Sequence, residues 1–388
     1  MRQGGLILVS TAVLALGCGG GGGAADGGAD AAAEDRPQYD VPRPEDGQTD
    51  AGVDTIPDCG LGPARPDGGP FVPTPADIDF AAVNPLPSGE QILFNDWSPS
   101  PNRVRSMTPD GATVTEVFRA YRVWSMGVSQ ARDRIAFSSG YPVEVQGQHY
   151  AIPTLGDAIQ HTFVYDVATQ TAQVVAYGSI NDECHAYGPG DAALYVCRRS
   201  DFEGSCDGWD IEYVNRGWRL GRIDLPGAAF TFLTPDVDYD WALSPQPTPD
   251  GTALFYGRIQ LVPPNTQTRT IVRMALPAGT TTLWKEQASF PVLSPDGSRV
   301  VYQNWADQYT LWIANADGGG ATRIANRQRA SEATFSPDGT QVAFLFDEND
   351  GCCVEAVKAD GTEANAPRCL RNCQTTGEFI TELDWITR

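Results

Sequence analysis

Positive charge and histidine are what this chain has least of. Its 388 residues carry 27 lysines and arginines against 49 aspartates and glutamates, a formal net charge of −22. Phosphate backbones are held by clustered Lys and Arg, so this balance argues against a nucleic-acid partner and for basic partners or cations. The three histidines are His149, His161 and His185, and none belongs to an HExxH helix. No GxSxG is present, which speaks against the nucleophile elbow of serine hydrolases. No CxxC pair is present either, which leaves little room for a structural zinc site. His161 and His185 fall at strand edges, where a surface imidazole is the expectation. Beyond the N-terminus no apolar segment reaches transmembrane length.

What the chain does have begins with an export signal. Arg2 precedes "LILVSTAVLALG" at 6–17, an apolar stretch too short for a mature spanning helix. It ends in "LALGC", which resembles the lipobox of bacterial lipoproteins with Cys18 as the acylated residue, although Ala15 stands where that family prefers Leu. The resemblance implies a signal peptide at 1–17, a membrane anchor at Cys18 and an outer-membrane destination facing the periplasm or the cell surface. Residues 18–76 read as a flexible linker. Between 19 and 76 there are 11 acids and 3 arginines among Gly, Ala and Pro, too little apolar surface to offset the entropy of ordering. The segment is expected to be a disordered stalk.

Setting Cys18 aside leaves Cys59, Cys184, Cys197, Cys206, Cys352, Cys353, Cys369 and Cys373, an even set that reads as disulfides in an exported chain. Cys352 and Cys353 are expected to pair with Cys369 and Cys373. Cys197 and Cys206 bracket a long loop and are the next expected pair, which leaves Cys59 for Cys184.

From residue 77 a hairpin recurs. "SPDGSRVVY" at 294 returns as "SPDGTQVAF" at 336, with weaker copies beginning at 86, 129, 188 and 248. Pro presets φ at the second turn position, Asp bonds its own backbone and Gly completes the turn. The β-branched and aromatic residues that follow favour a strand. A second strand pair follows each hairpin, as in "TLWIANADGGGATRIA" at 310–325. Repeats of this size are four-stranded blades, and a ring of blades is a propeller. The chain ends in "FITELDWITR", which parallels "ASEATFSPDG" and reads as a first strand that closes the ring. The expectation is all-β: a six-bladed β-propeller of four-stranded antiparallel blades over 77–388. The repeat resembles that of TolB-type propellers. TolB implies a periplasmic protein-binding propeller with an α/β domain upstream. A stalk takes that place here, so the resemblance carries the fold alone.

Long insertions at 138–161, 198–217 and 257–269 share one face of the ring, and the short Pro-Asp-Gly turns share the other. The looped face gathers acids and aromatics suited to a basic peptide, a cation or a sugar. Its candidate binding residues are His149, Tyr150, Asp207, Trp209, Asp210, Asp236, Asp238 and Asp240, beside Asp201, Phe202 and Glu203. "DVDYD" at 236–240 resembles the start of a calcium loop, but Trp241 occupies the glycine position and Pro247 the glutamate position. No cofactor is expected beyond a structural or ligand-bridging cation such as calcium. The expected function is binding of a protein, peptide or glycan of the envelope. The alternative is a metal-assisted polysaccharide lyase or hydrolase, as in propeller-fold lyases that the repeat also resembles.

Overall fold

The computed structural model describes residues 72–98, 101–142, 160–177, 181–199, 218–235, 237, 240–262, 266–348 and 351–388, with backbone alone at 262, 266, 347, 348, 351, 352 and 374. Six antiparallel sheets stand as blades around a ring. In blade five the inner strand Ala288–Leu293 turns back as Arg299–Asn304, and Thr310–Asn315 and Thr322–Ala325 complete the sheet outward. Blades two, three, four and six repeat that order from inner strands Val123–Val128, Asn181–Tyr187, Asp240–Pro247 and Ser331–Phe335.

Blade one is assembled from both ends of the propeller. Its inner strand is Ile380–Thr387, the last of the chain, paired to Glu90–Asp96 with Ile92 opposite Trp385. The closing strand thus sits where its sequence suggests. A two-residue strand, Ala81–Ala82, pairs with the outer edge and makes this sheet five-stranded rather than four-stranded.

A ring of blades has no single core. Six apolar clusters divide among the six seams instead. At the seam of blades one and two, Phe118 lies 5.0 Å from Phe137 and 4.8 Å from Tyr165. The closing seam joins Ala343 and Val354 of blade six to Ile92, Phe94 and Trp385 of blade one. Second strands such as Arg299–Asn304 are buried at four consecutive positions because a neighbour covers each face. That explains their unbroken apolar runs.

The repeated turn has a packing reason as well as a local one. Ser294 Oγ donates to Asp296 Oδ1 at 2.6 Å, and the same carboxylate accepts from Ser298 N at 3.0 Å. Gly297, at φ +71°, lies against the proline of the preceding turn, where an added Cβ would stand 2.7 Å from Pro249 Cδ. An added Cβ at Gly251 would stand less tightly against Pro189, at 3.2 Å from Cγ, and one at Gly339 would be in ordinary contact with Pro295 at 3.6 Å. The turns nest from blade to blade, and at Gly297 only a residue without Cβ permits both the φ and the approach.

Two expectations are corrected. The blade-four insertion at 257–269 is a paired ribbon rather than a long loop: Ala253–Val262 and Thr266–Ala275 keep register to their ends. The disulfide of blade three joins Cys184 to Cys197, with Cα atoms 5.4 Å apart, in place of the expected Cys197–Cys206 and Cys59–Cys184 pairs. A bulge in the inner strand puts Cys184 at φ 58° beside the strand carrying Cys197. Short-range register therefore prevails over loop bracketing; Cys59 and Cys206 lie outside the described residues. In blade six Cys353 pairs with Cys369 at a Cα separation of 6.0 Å, and Cys373 is disulfide-bonded too. Among the described residues no helix is long and apolar enough to cross a membrane.

Candidate binding site in the central channel

The inner strands leave a channel of about 1050 Å³ between them. Each inner strand carries a register break against its second strand. At that break the chain adopts positive φ at Cys184 (58°), Ser244 (52°), Phe290 (53°), Glu332 (46°) and Glu382 (54°). Left-handed backbone at non-glycine residues costs about 1–3 kcal/mol each and persists only where the surroundings impose it. A bulge re-aims a side chain, and all five of these residues line the channel.

Two of the five are glutamates in neighbouring blades, and they do not stand alone. Glu183 on the inner strand of blade three and Asp384 on that of blade one line the same channel. Burial pushes Glu332 up to about 7. Burial also holds Glu382 well above the usual carboxylate range, reinforced by the charges of Glu332, Glu183 and Asp384. Asp384 is raised by burial as well, against the opposing pull of Arg132 and of the Val128 N–H, which donates to Oδ2 at 3.0 Å. The channel thus gathers four carboxyl groups, and burial disfavours the charged form of Glu332, Glu382 and Asp384.

Chain direction sets which end these groups occupy. Inner strands begin at the crossover face and end at the Pro-Asp-Gly turns, so Glu183, Glu332 and Glu382, near their strand starts, lie toward the looped face. Aromatic rings rim that mouth. Trp97 and Trp124 meet edge to face at 4.2 Å, with Phe379 at 6.4 Å from Trp97.

The two described histidines, His161 and His185, are not at the surface. His161 is buried against Tyr141, with ring centroids 5.3 Å apart, and His185 is buried in the channel wall. His185 Nδ1 lies 2.7 Å from Ser125 Oγ and its Nε2 lies 3.2 Å from Thr162 Oγ1. Thr162 Oγ1 donates to Asp182 Oδ2 at 2.9 Å, and Arg198 grips both oxygens of Asp182 at 2.7 Å. Burial lowers His185 to about 4, so the ring is neutral at pH 7. The expectation of edge imidazoles fails because each blade edge at this radius is covered by the next blade.

Of the sequence candidates, Asp240 opens the inner strand of blade four and accepts from Arg258 Nε at 2.8 Å, an inter-strand pair. His149, Tyr150, Asp207, Trp209, Asp210, Asp236 and Asp238 lie outside the described residues, as do Asp201, Phe202, Glu203 and Cys18. Among the described residues no group of three or more His, Cys, Asp or Glu side chains is arranged to hold a metal ion. Sequence reading missed the channel acids although their signal was present. "SEATF" and "TELDW" align as inner strands, and each carries an acid where a buried strand should be apolar.

No family model and no curated protein matches this chain. Among solved structures it is similar to TolB from Acinetobacter baumannii at 14% identity and a TM-score of 0.54, over 77% of this chain and 67% of that one. A candidate TolB from Agrobacterium tumefaciens aligns at 14% identity and a TM-score of 0.52, over 74% and 90%. A chain of a nidogen/laminin complex aligns at 7% identity and a TM-score of 0.52, over 76% and 98%. At these identities the likeness is one of fold: the chain carries a six-bladed propeller of the TolB type.

Proposed function

We propose that this protein is a lipid-anchored envelope lipoprotein whose propeller binds a protein or peptide partner that presents a basic side chain at the acidic channel mouth. The observation that carries the reading is the gathering of Glu183, Glu332, Glu382 and Asp384 in one channel, where burial raises Glu332, Glu382 and Asp384 and neighbouring acids raise Glu382 further. A guanidinium or ammonium entering there relieves that repulsion, and desolvated charge pairs of this kind fix orientation and specificity. Trp97 and Trp124 at the rim offer faces on which a cation or an apolar side chain rests. The looped face above that mouth remains part of the proposed contact surface through His149, Tyr150, Asp207 and Trp209. A propeller of similar shape in a nidogen/laminin complex supports the use of this fold in protein contacts.

The lipoprotein reading rests on "LALGC" and Cys18, and an envelope location follows from it. Cys18→Ser should move the protein from the membrane fraction to the soluble exported fraction. The binding test is calorimetric titration of that soluble chain with an arginine-containing peptide, an acidic peptide and a neutral oligosaccharide. The arginine peptide should bind, and the Glu332→Gln/Glu382→Gln double variant should weaken it about tenfold or more. Unchanged affinity in the double variant, or preference for the acidic peptide, would refute the reading.

A further inference from the structure

The relay in the channel wall has a direction that can be worked out atom by atom. Asp182, held on both oxygens by Arg198, is a carboxylate and only accepts. Thr162 Oγ1 therefore gives its proton to Asp182 at 2.9 Å. Having spent its proton, Thr162 Oγ1 accepts from His185, which places the ring proton on Nε2. Nδ1 is then bare, and the hydroxyl 2.7 Å away donates to it. The chain of donors runs from Ser125 through His185 and Thr162 to Asp182, one proton per link.

We propose that Ser125 is a nucleophile, with His185 as its general base, that accepts an acyl group from carboxylic esters entering the central channel. The arrangement has the parts such chemistry needs: a hydroxyl on a base, the base fixed in one tautomer, and an ionised group behind it. Ser125 and His185 both line the channel, where they are 2% and 6% exposed, which restricts the substrate to a small ester. Three strands of two blades supply these groups: Ser125 on the inner strand of blade two, Thr162 on its third strand, Asp182 and His185 on the inner strand of blade three. The corresponding inner-strand positions of the other blades carry Pro245, Pro291, Ala333 and Leu383, so closing a seam does not require a serine–histidine pair.

In the reaction Ser125 Oγ attacks the ester carbonyl carbon, and its proton passes to His185 Nδ1. The bond from carbon to the leaving alcohol breaks, and the alcohol leaves with the proton from Nδ1. Water then attacks the acyl-serine, again through His185, and releases the acid. Ester and water give acid and alcohol, with no other reactant. The carboxylates nearby disfavour anionic acyl groups, so neutral or cationic esters are the substrate class. This goes beyond partner binding, and each reading can fail without the other.

The experiment is labelling of the full chain with a fluorophosphonate, read by intact mass and peptide mapping. The Ser125 Oγ–P bond forms, the P–F bond breaks, fluoride leaves and His185 takes the proton. A single adduct on Ser125 is expected, absent in Ser125→Ala. His185→Gln should slow labelling about 100-fold. Thr162→Val, which removes the positioning hydroxyl at nearly constant shape, should slow it about tenfold. Ser125→Cys treated with iodoacetamide measures access to the position. The proposal is overturned if wild-type Ser125 carries no adduct although Cys at that position is alkylated. It is equally overturned if that Cys is not alkylated in the folded chain, or if His185→Gln labels as fast as wild type.

Discussion

Carboxylates at the two ends of the propeller live in opposite circumstances. On the turn face Asp296 accepts from Ser294 Oγ, Ser298 N and Ser298 Oγ, and those hydrogen bonds hold it at about 2. Asp250 is held at about 2 by Thr248 and Thr252 in the same manner. Toward the looped face, burial without such donors lifts Glu332 to about 7. The side-chain chemistry is the same, and the difference is whether its charge has already been spent on the local backbone. Acids of the turns are parts of the scaffold, while Glu332 in the channel wall has its charge disfavoured by burial rather than held by local donors.

The largest effect that sharpens this contrast lies within one strand. Trp385→Ala empties a buried site in the closing seam and should cost about 3–5 kcal/mol in denaturant melts. Glu382→Gln, three residues earlier on that strand, should leave stability at neutral pH unchanged or higher, because it removes a repelled carboxylate. A large loss in Glu382→Gln would show that the acid is structural and break the comparison.

Next in size is the nested turn. Gly297→Ala puts a Cβ 2.7 Å from Pro249 Cδ at φ +71° and should cost about 1–3 kcal/mol, read as a lower melting midpoint. Asp338→Ala removes the acceptor of Ser336 Oγ and Thr340 N and should cost roughly 1 kcal/mol. Neither change should alter binding at the channel mouth.

The last contrast is a pair of opposed pH slopes. Glu332 rises on folding from 4.5 to about 7, so the folded state holds its proton more tightly, and the stability this confers at low pH is lost as pH rises through about 7. His185 falls on folding from 6.5 to about 4, so its contribution is full above 6.5 and is lost as pH drops toward about 4. Urea melts of Glu332→Gln should show a shallower loss than wild type between about pH 5 and about pH 8. Equal slopes would mean that Glu332 titrates as an ordinary surface acid.

The scaffold was legible in the sequence because its signals are local and repeated. Ser-Pro-Asp-Gly announces a turn without reference to the rest of the chain, and the closing strand betrays itself by parallel with the strand before it. The site was less legible. Glu332 and Glu382 lie 50 positions apart and become neighbours only when the ring closes. The relay of Ser125, Thr162, Asp182 and His185 spans two blades and matches no contiguous motif. Even the disulfide depended on a bulge that turns Cys184 toward Cys197, a backbone event that residue spacing does not encode.

The central claim is that Glu332, raised by burial in the channel wall, gives up its proton when a cation binds. Carbon-13 NMR titration of the Glu332 side-chain carboxyl, in the free chain and with saturating arginine-containing peptide, tests it most directly. A midpoint of about 7 in the free chain that falls when the peptide binds is the predicted result. A midpoint at the ordinary 4.5 in the free chain, or one that peptide does not move, would contradict it.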